Sequence, residues 1–169
     1  RDASRVAGLI VDSASSQSER GCADFGRRRD AVSQKMRDGF PIIFDSSLPI
    51  AQMEHYTATL QKTLGAAIGE HQLWIFGHLG DGNLHYNVAH PLDSTVDKHM
   101  ANYADLSLLV HDSAHAHGGS ISAEHGIGQR KVGLLSRYKS PVELDLMRRI
   151  KRALDPQGIM NPNRVVRLD

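Results

Sequence analysis

The amino-acid sequence predicts an α+β fold in which helices cover an antiparallel sheet. Segments with helix spacing and segments with strand spacing alternate only loosely along the 169 residues. The strand segments are short, and too few regular crossovers join them for a doubly wound parallel sheet. A chain of this length is typical of one domain with one core, so we expect residues 1–169 to form a single domain.

The amino-terminal part contains two predicted helices and a strand between them. Apolar spacing predicts the first helix over 18–38. The strand over 40–44 contains Pro41, which cannot donate a ladder hydrogen bond, so we expect it at a sheet edge. Proline is tolerated in a first helical turn, and the second helix therefore begins at Pro49 and ends in the region 65–69. The apolar faces consist of Phe25, Val32 and Met36 in the first helix and of Ile50, Met53, Thr57, Leu60 and Leu64 in the second.

Two strands, a long helix and a short third strand are predicted next. They cover 72–76, 84–88, 94–117 and 120–123, in that order. The glycine-rich segment 77–83 between the first two strands is predicted to be a loop. Ser94 is suited to cap the helix, with Asp97 as its capping-box partner. The buried side of this helix is expected to contain Val96, Met100, Tyr103, Ser107, Val110 and Ala114.

The carboxy-terminal helix has clear boundary signals. Ser140 is suited to the N-cap, Pro141 to the first turn and Glu143 to the closing position of a capping box. The dipeptide at 155–156, Asp-Pro, ends the helix. Its buried face is expected to contain Leu146, Met147, Ile150, Ala153 and Leu154.

Composition excludes several classes of protein. The 20 basic and 19 acidic side chains leave a formal charge of +1, and no stretch gathers the basic residues that a nucleic-acid backbone requires. No apolar segment approaches the roughly 18 residues of a transmembrane helix.

Cys22 is the single cysteine, so an internal disulfide cannot form, and a reducing, cytoplasmic compartment is expected. Because the chain begins with Arg1, we expect it to be the product of cleavage or one part of a longer polypeptide.

Histidines and glycines concentrate in two segments that suggest a metal site. The first, 77–87, reads Gly-His-Leu-Gly-Asp-Gly-Asn-Leu-His-Tyr-Asn, and a glycine-bearing turn could bring His78 and His85 together. The second segment, 122–131, reads Ser-Ala-Glu-His-Gly-Ile-Gly-Gln-Arg-Lys and places Glu124 beside His125. Two imidazoles and one carboxylate leave an open coordination position, which suits catalysis. Zn, Mn and Fe are all compatible with this set of ligands.

Other interpretations of the polar residues stay open. Asp81 is a rival ligand, although an aspartate in a turn usually caps its own backbone. His111 and His115 have the i,i+4 spacing of a helical metal pair, but a solvated helix face is the favoured interpretation. Lys131 is the last residue of the second segment and is suited to hold an anionic substrate. A solvated helix face is favoured for His117 as well, and a surface or hydrogen-bonded core position is favoured for His55, His71, His90 and His99.

Three segments together resemble a known family. They are 77–85, 122–131 and 154–162, the last reading Leu-Asp-Pro-Gln-Gly-Ile-Met-Asn-Pro. They look like the C-terminal domain of FAD-linked 2-hydroxy-acid dehydrogenases, which include D-lactate, glycolate-oxidase-type and D-2-hydroxyglutarate enzymes. The resemblance extends from about Phe25 to Val166. It implies a ferredoxin-like α+β substrate domain that works with an N-terminal FAD-binding domain of the same polypeptide, which these residues do not include.

The resemblance also implies a reaction and the residues that perform it. A 2-hydroxy acid is oxidised to a 2-oxo acid, with metal-assisted deprotonation and hydride transfer to FAD. The isolated chain is expected to bind a divalent metal but to be inactive. The implied residues are His78, His85 and Glu124 as metal ligands, His125 as general base, Arg28 and Asn87 as substrate contacts, and Asn161 near FAD.

Two departures and two alternative functions complete these expectations. Ile43 and Val32 stand where relatives that use a dicarboxylate have lysine and threonine, so a small or more apolar 2-hydroxy acid is expected. A self-contained His₂Glu hydrolase or oxygenase is one alternative, and it would act without flavin. A non-catalytic interaction domain is the other. A homodimer is a further expectation, and the electron acceptor is not indicated.

Overall fold

The chain divides into two compact units at the boundary between Gly39 and Phe40. The structure, a computed structural model, describes residues 15–31, 41–89 and 95–168. None of the helices in these ranges has the length and apolar character needed to cross a membrane. The expectation of a single domain over the whole chain stays a prediction.

The first unit contains helix α1, Glu19–Asp30. Its start lies within one residue of the predicted start, whereas the predicted continuation with Val32 and Met36 lies outside the described residues. Phe25 is 40% exposed, and Arg28 on the same helix is exposed as well. The described part of the predicted apolar stripe is therefore not buried.

The second unit is built on an antiparallel sheet. Its strands are β1 (Ile42–Ser47), β2 (Gln72–His78) and β3 (Asn83–Ala89), in the spatial order β1-β3-β2. Strand β1 begins directly after Pro41 and lies at an edge, as predicted. A 3₁₀ turn at Leu79–Asp81 joins β2 to β3, so the connection is shorter than the predicted loop. The predicted α+β class with an antiparallel sheet is confirmed.

Helices α2 (Met53–Ile68) and α4 (Tyr103–Ala116) contribute the core on one face of this sheet. Because strand side chains alternate between faces, Phe44 and Tyr86 point into the core and their chain neighbours lie on the opposite face. Ile50 is exposed, because a 3₁₀ turn precedes α2 and the regular helix begins later than predicted. The largest fully buried apolar side chains are Phe44, Tyr56, Leu60, Leu64, Tyr86, Val88, Leu106 and Val110.

The helix predicted over 94–117 is divided into two. Helix α3, Val96–Ala101, is separated from α4 by Asn102. Thr95 is the N-cap of α3, and its hydroxyl accepts the backbone N–H three residues ahead at 3.3 Å. Ser94, the predicted cap, lies outside the described residues.

Two side chains of these helices differ from prediction. Met100 was expected to be buried and is 47% exposed, whereas His111 is buried. The Nδ1 atom of His111 lies 3.2 Å from the hydroxyl of Ser107, and its ring packs edge-on against Phe44. The expectation of a solvated face was therefore wrong for His111, because its side of α4 faces the sheet.

Two elements between α4 and the last helix were not predicted correctly. The strand expected over 120–123 is a single bridge between Ser47 and Ser120. Helix α5, Val132–Tyr138, was not predicted, and Leu135 is its buried residue. Two helical turns are too short to show a periodic apolar pattern.

Helix α6, Pro141–Leu154, confirms the predicted boundary but not the predicted burial. The hydroxyl of Ser140 accepts the N–H of Glu143 at 3.2 Å, and the Glu143 carboxylate accepts the N–H of Ser140 at 2.9 Å. Leu144 is the buried residue of this helix. Periodicity predicts an amphipathic helix, but it cannot show whether a neighbouring element covers the apolar face. Four residues expected to be buried are exposed, namely Leu146, Ile150, Ala153 and Leu154.

Candidate metal centre and active site

The candidate site lies on the face of the sheet opposite the hydrophobic core. In the register of the three strands, His85 on β3 lies between Asp45 on β1 and Phe76 on β2. His85 and Asn87 share this face because they are two residues apart on one strand. The neighbouring row on the same face consists of Ile43, Asn87 and Trp74.

The turn between β2 and β3 brings His78 and His85 together. His78 ends β2, and the turn closes at Gly82, whose φ of 64° lies in the left-handed region that favours glycine. A side chain at Gly82 would also collide with the carbonyl oxygen of Leu48. The backbone N–H of Leu48 donates to the Gly82 carbonyl at 2.8 Å, which attaches the turn to the chain after β1. The centroids of the two imidazole rings are 5.9 Å apart.

Glu124 reaches both histidines from the second glycine-rich segment. Its Oε1 lies 2.8 Å from Nε2 of His85, and its Oε2 lies 3.6 Å from Nε2 of His78. The His85 ring is nearly buried, whereas the side chains of His78 and Glu124 are 41% and 45% exposed. The three residues proposed as metal ligands therefore lie together at a position that is open to solvent on one side.

Asp45 holds the segment that contains Glu124, and its role was not predicted from the sequence. The carboxylate is 1% exposed. A single aspartate in a strand has no spacing signal, and a buried carboxylate needs hydrogen-bond donors, which here come from a distant part of the chain. All four donors bind its Oδ2 atom, namely the N–H groups of Ala123, Glu124 and His125 at 2.9, 3.0 and 2.9 Å and the hydroxyl of Ser122 at 3.1 Å.

The pKa of Asp45 reflects two opposing effects. Burial raises the pKa of this carboxyl, while backbone hydrogen bonds from His125, Ala123 and Glu124 and the charge interaction with His125 lower it. The lowering effects dominate, and the pKa lies below its ordinary value. Asp45 is therefore an ionised carboxylate at neutral pH.

His125 lies beside the proposed ligands and is accessible. Its Nε2 is 3.7 Å from Oε1 of Glu124. The ring stacks on His85 with a centroid distance of 5.3 Å and an interplanar angle of 20°. Because 52% of the side chain is exposed, an imidazole nitrogen can approach a bound substrate, as a general base must.

The donor atoms of this cluster fit a divalent cation. One ligand atom each from Asp45, His85, Glu124 and His125 lie within 4.8 Å of one another, and imidazole and carboxylate donors suit Zn, Mn or Fe. The two ring nitrogens of His85 point in different directions, so one ion can bind only one of them. Glu124 lies at Nε2, on the side of His78, whereas Asp45 lies 3.8 Å from Nδ1. If an ion binds Nε2 of His85, Asp45 therefore lies at the other ring nitrogen, Nδ1.

Asn87 and Lys131 both bind backbone carbonyl groups. Asn87 is fully buried, and its Nδ2 donates to the carbonyl of Trp74 at 3.0 Å. Nζ of Lys131 donates to the carbonyls of Ile121 at 2.7 Å and Asp45 at 3.3 Å. Burial lowers the pKa of Lys131, and the charge of Asp45 opposes the change. Lys131 thus connects the two ends of the second segment to strand β1. The proposed substrate contacts of Asn87 and Lys131 stay predictions.

Three further residues proposed from the sequence occupy other parts of the chain. Arg28 is exposed on α1 of the first unit. Asp81 is exposed in the turn between β2 and β3. Asn161, with a φ of 47°, lies in the segment after α6. It borders an apolar groove whose other lining residues include Met147, Ile150, Leu154 and Met160.

Comparison with known proteins finds relatives along nearly the whole chain. The D-2-hydroxyglutarate dehydrogenase of Stutzerimonas stutzeri (strain A1501) is 33% identical over 163 residues, which cover 94% of this chain and 34% of that protein. The mitochondrial D-2-hydroxyglutarate dehydrogenase of Bos taurus is 35% identical over 160 residues, covering 94% and 28%. An uncharacterized FAD-linked oxidoreductase of Mycobacterium tuberculosis is 36% identical over 124 residues, covering 71% and 24%. The chain thus spans about a third or less of the length of these relatives.

A family profile agrees with these relatives. The profile described as "FAD linked oxidases, C-terminal domain" matches residues 3–165, a range that includes His78, His85, Glu124 and Asp45. The resemblance inferred from the three sequence segments is confirmed. The chain therefore belongs to the FAD-linked oxidase family and corresponds to its C-terminal domain.

Proposed function

We propose that this chain is the substrate-binding and proton-accepting part of an FAD-dependent dehydrogenase that oxidises a 2-hydroxy acid to a 2-oxo acid. The observation that carries the proposal is the convergence of His78, His85 and Glu124 beside the exposed His125. Relatives named D-2-hydroxyglutarate dehydrogenase support a 2-hydroxy acid as the substrate class. Because the chain spans about a third of such relatives, the proposed activity requires an FAD-binding domain in the same polypeptide.

The proposed ligands of a divalent ion are Nε2 of His78, Nε2 of His85 and the carboxylate of Glu124. The carboxylate lies within 3.6 Å of both imidazoles. The exposed side of the cluster leaves access for a substrate oxygen. When bound, the ion supplies Lewis-acid polarisation of an oxygen ligand, and the flavin supplies the redox chemistry.

His125 is the proposed acceptor of the substrate hydroxyl proton. A neutral imidazole nitrogen within hydrogen-bond distance of a hydroxyl can take its proton during the reaction. Stacking on His85 and the backbone hydrogen bond to Asp45 orient His125 beside Glu124. The exposure of its side chain allows that approach.

Three other side chains are the proposed contacts of the substrate's polar groups. The guanidinium of Arg28 would bind the carboxylate, because its planar pair of N–H donors matches two carboxylate oxygens. Asn87 shares the sheet face with His85 and has an amide oxygen without a hydrogen-bond partner among the described residues. Lys131, the last residue of the second segment, would supply positive charge for an anionic substrate. The approach of Asn161 to FAD, a cytoplasmic location and a homodimer stay predictions.

An apolar substrate side chain fits the row of the sheet next to His85. Ile43 is 51% exposed and lies in register with Asn87 and Trp74. Phe76 packs against His85 with a centroid distance of 5.1 Å. The three described strands contain no lysine or arginine that could pair with a second carboxylate. We therefore propose a small or apolar 2-hydroxy acid as the substrate rather than 2-hydroxyglutarate.

Metal analysis of the chain purified without chelator tests the site. We expect about one divalent ion per chain, as a single three-ligand site requires. His85→Ala should lose the ion, whereas His115→Ala, which removes an exposed imidazole of α4, should retain it. An equal metal content in both variants would contradict the proposed ligands.

An activity assay on the FAD-containing polypeptide tests the reaction. Oxidation of D-lactate by His125→Ala should fall about 10²- to 10⁴-fold, with the metal content unchanged. Turnover by the flavin-free chain would instead favour a self-contained hydrolase or oxygenase. Full activity of His85→Ala would favour a non-catalytic domain.

A further inference from the structure

Two carboxylates lie next to the His85 ring, one at each nitrogen. Oε1 of Glu124 is 2.8 Å from Nε2, and Oδ1 of Asp45 is 3.8 Å from Nδ1. Glu124 is half exposed, whereas Asp45 is almost completely buried. The two ends of the ring therefore differ in their access to solvent and to a bound ion.

The sheet and the second segment together fix the position of Asp45. It is the direct cross-strand partner of His85 in the pairing of β1 with β3. Its Oδ2 accepts four hydrogen bonds from residues 122–125, so the carboxylate cannot rotate without breaking them. Its Oδ1 is buried and has no hydrogen-bond partner among the described residues. The nitrogen that this oxygen approaches is Nδ1 of His85.

A neutral imidazole carries one proton, and its position decides which nitrogen can bind a metal. If the proton is on Nδ1, the lone pair of Nε2 is available to an ion; if it is on Nε2, that nitrogen can only donate to Glu124. A metal-binding histidine commonly donates the N–H of its other ring nitrogen to a carboxylate, and this hydrogen bond fixes the tautomer. A buried acceptor at Nδ1 therefore favours the tautomer that binds through Nε2.

We propose that Asp45 is a positioning residue that accepts the Nδ1–H of His85 and so keeps Nε2 free to bind a divalent ion. Its other oxygen holds the backbone of Glu124, so one buried carboxylate orients two of the proposed metal ligands. Closing the present 3.8 Å separation to a hydrogen bond of about 3.0 Å requires a shift of about 0.8 Å. The inference rests on the metal site of the proposed function.

Asp45→Asn tests the inference with little change of shape. Its amide oxygen still accepts the N–H groups of residues 123–125 and the hydroxyl of Ser122, but its NH₂ group faces His85 and donates to Nδ1. This reverses the preferred tautomer. The affinity of the chain for Co²⁺, followed by visible absorption, should fall about 10- to 100-fold, as is typical when such a carboxylate is replaced. Asp112→Asn is the matched control, because Asp112 binds Arg137 and Tyr138, and it should leave the Co²⁺ affinity unchanged.

The second experiment determines the tautomer of His85 directly, and it uses the wild-type chain. Nitrogen-15 NMR of the Zn²⁺-loaded wild-type chain should show a proton on Nδ1 of His85 and none on Nε2. A proton on Nε2 would overturn the inference, because His85 would then bind through Nδ1 with Asp45 as a neighbouring ligand. This spectrum can therefore overturn the inference even if Asp45→Asn fails to fold.

The metal site and the positioning role of Asp45 can be tested separately. If the wild-type chain binds neither Co²⁺ nor Zn²⁺, the proposed metal site is wrong, and the inference about Asp45 is wrong with it. If the wild type binds Co²⁺ and folded Asp45→Asn binds it equally well, the metal site stands and only the positioning role is wrong.

Discussion

The carboxylate of Asp45 accepts a hydrogen bond from the backbone N–H of His125, which is 2.9 Å away and 80 residues later in the sequence. Its Oδ2 also accepts the N–H of Glu124. Asp45 thereby attaches the second segment to the edge strand β1. Since His85 is its partner on the adjacent strand, the two halves of the proposed metal site share one structural support.

Replacing Asp45 by alanine should destabilise the second unit. The variant removes an ionised acceptor of four hydrogen bonds, three of them from backbone N–H groups. We expect the free energy of unfolding in urea to fall by about 3 kcal/mol, since hydrogen bonds to a charged group are stronger than neutral ones. Asp112→Ala breaks a half-exposed pair with Arg137 and should cost about 1 kcal/mol or less. Equal losses would contradict the special role of Asp45.

Gly82→Ala should disrupt the turn that brings His78 and His85 together. An alanine would meet the carbonyl oxygen of Leu48 and would have to adopt a φ of 64°. We expect a loss of about 1–3 kcal/mol in urea unfolding and a lower Co²⁺ affinity. Gly80→Ala is the matched control in the same turn, because nothing lies within 4 Å of the added Cβ. If both variants bind Co²⁺ like the wild type, the turn is not required for the site.

Acidification should destabilise the fold through His111. Burial and, to a smaller extent, the charge of Lys131 lower the pKa of this imidazole to about 4, while the charge of Asp112 opposes the change. The unfolded chain binds the proton near pH 6.5 and the folded chain only near pH 4, so stability falls as the pH decreases through that window. Between pH 7 and pH 5 we expect His111 to account for a loss of about 2 kcal/mol. Urea unfolding of His111→Phe should show a correspondingly smaller pH dependence, and an unchanged dependence would refute this assignment.

Ile43→Lys should change the preference among 2-hydroxy acids. A lysine beside Asn87 places an ammonium group on the site face, where it can pair with a second carboxylate. We expect the affinity for D-2-hydroxyglutarate, relative to D-2-hydroxyisocaproate, to rise about five- to tenfold. Trp74 is the single tryptophan of the chain and lies in the same row, so its fluorescence can report binding to the metal-loaded chain. Ile43→Met adds no charge and should not change the preference; a wild type that already prefers the dicarboxylate would contradict the proposed substrate.

Features that depend on neighbouring residues were predicted well from the sequence. The capping box of Ser140 and Glu143 was predicted because its partners are three residues apart. The edge position of β1 was predicted because proline lacks an N–H group. The candidate ligands His78, His85 and Glu124 came from local motifs and from a family resemblance, since their chemistry and spacing are visible in a linear chain.

Features that depend on packing between distant segments appeared only in the tertiary structure. Asp45 has no local signal, because its donors come from residues 122–125, far along the chain. The same holds for His111, whose burial results from the contact of α4 with the sheet, and for Ile150 on α6, whose apolar side the described residues leave exposed. An amino-acid pattern specifies what a side chain can do, whereas the elements packed around it determine its solvent exposure and its partners.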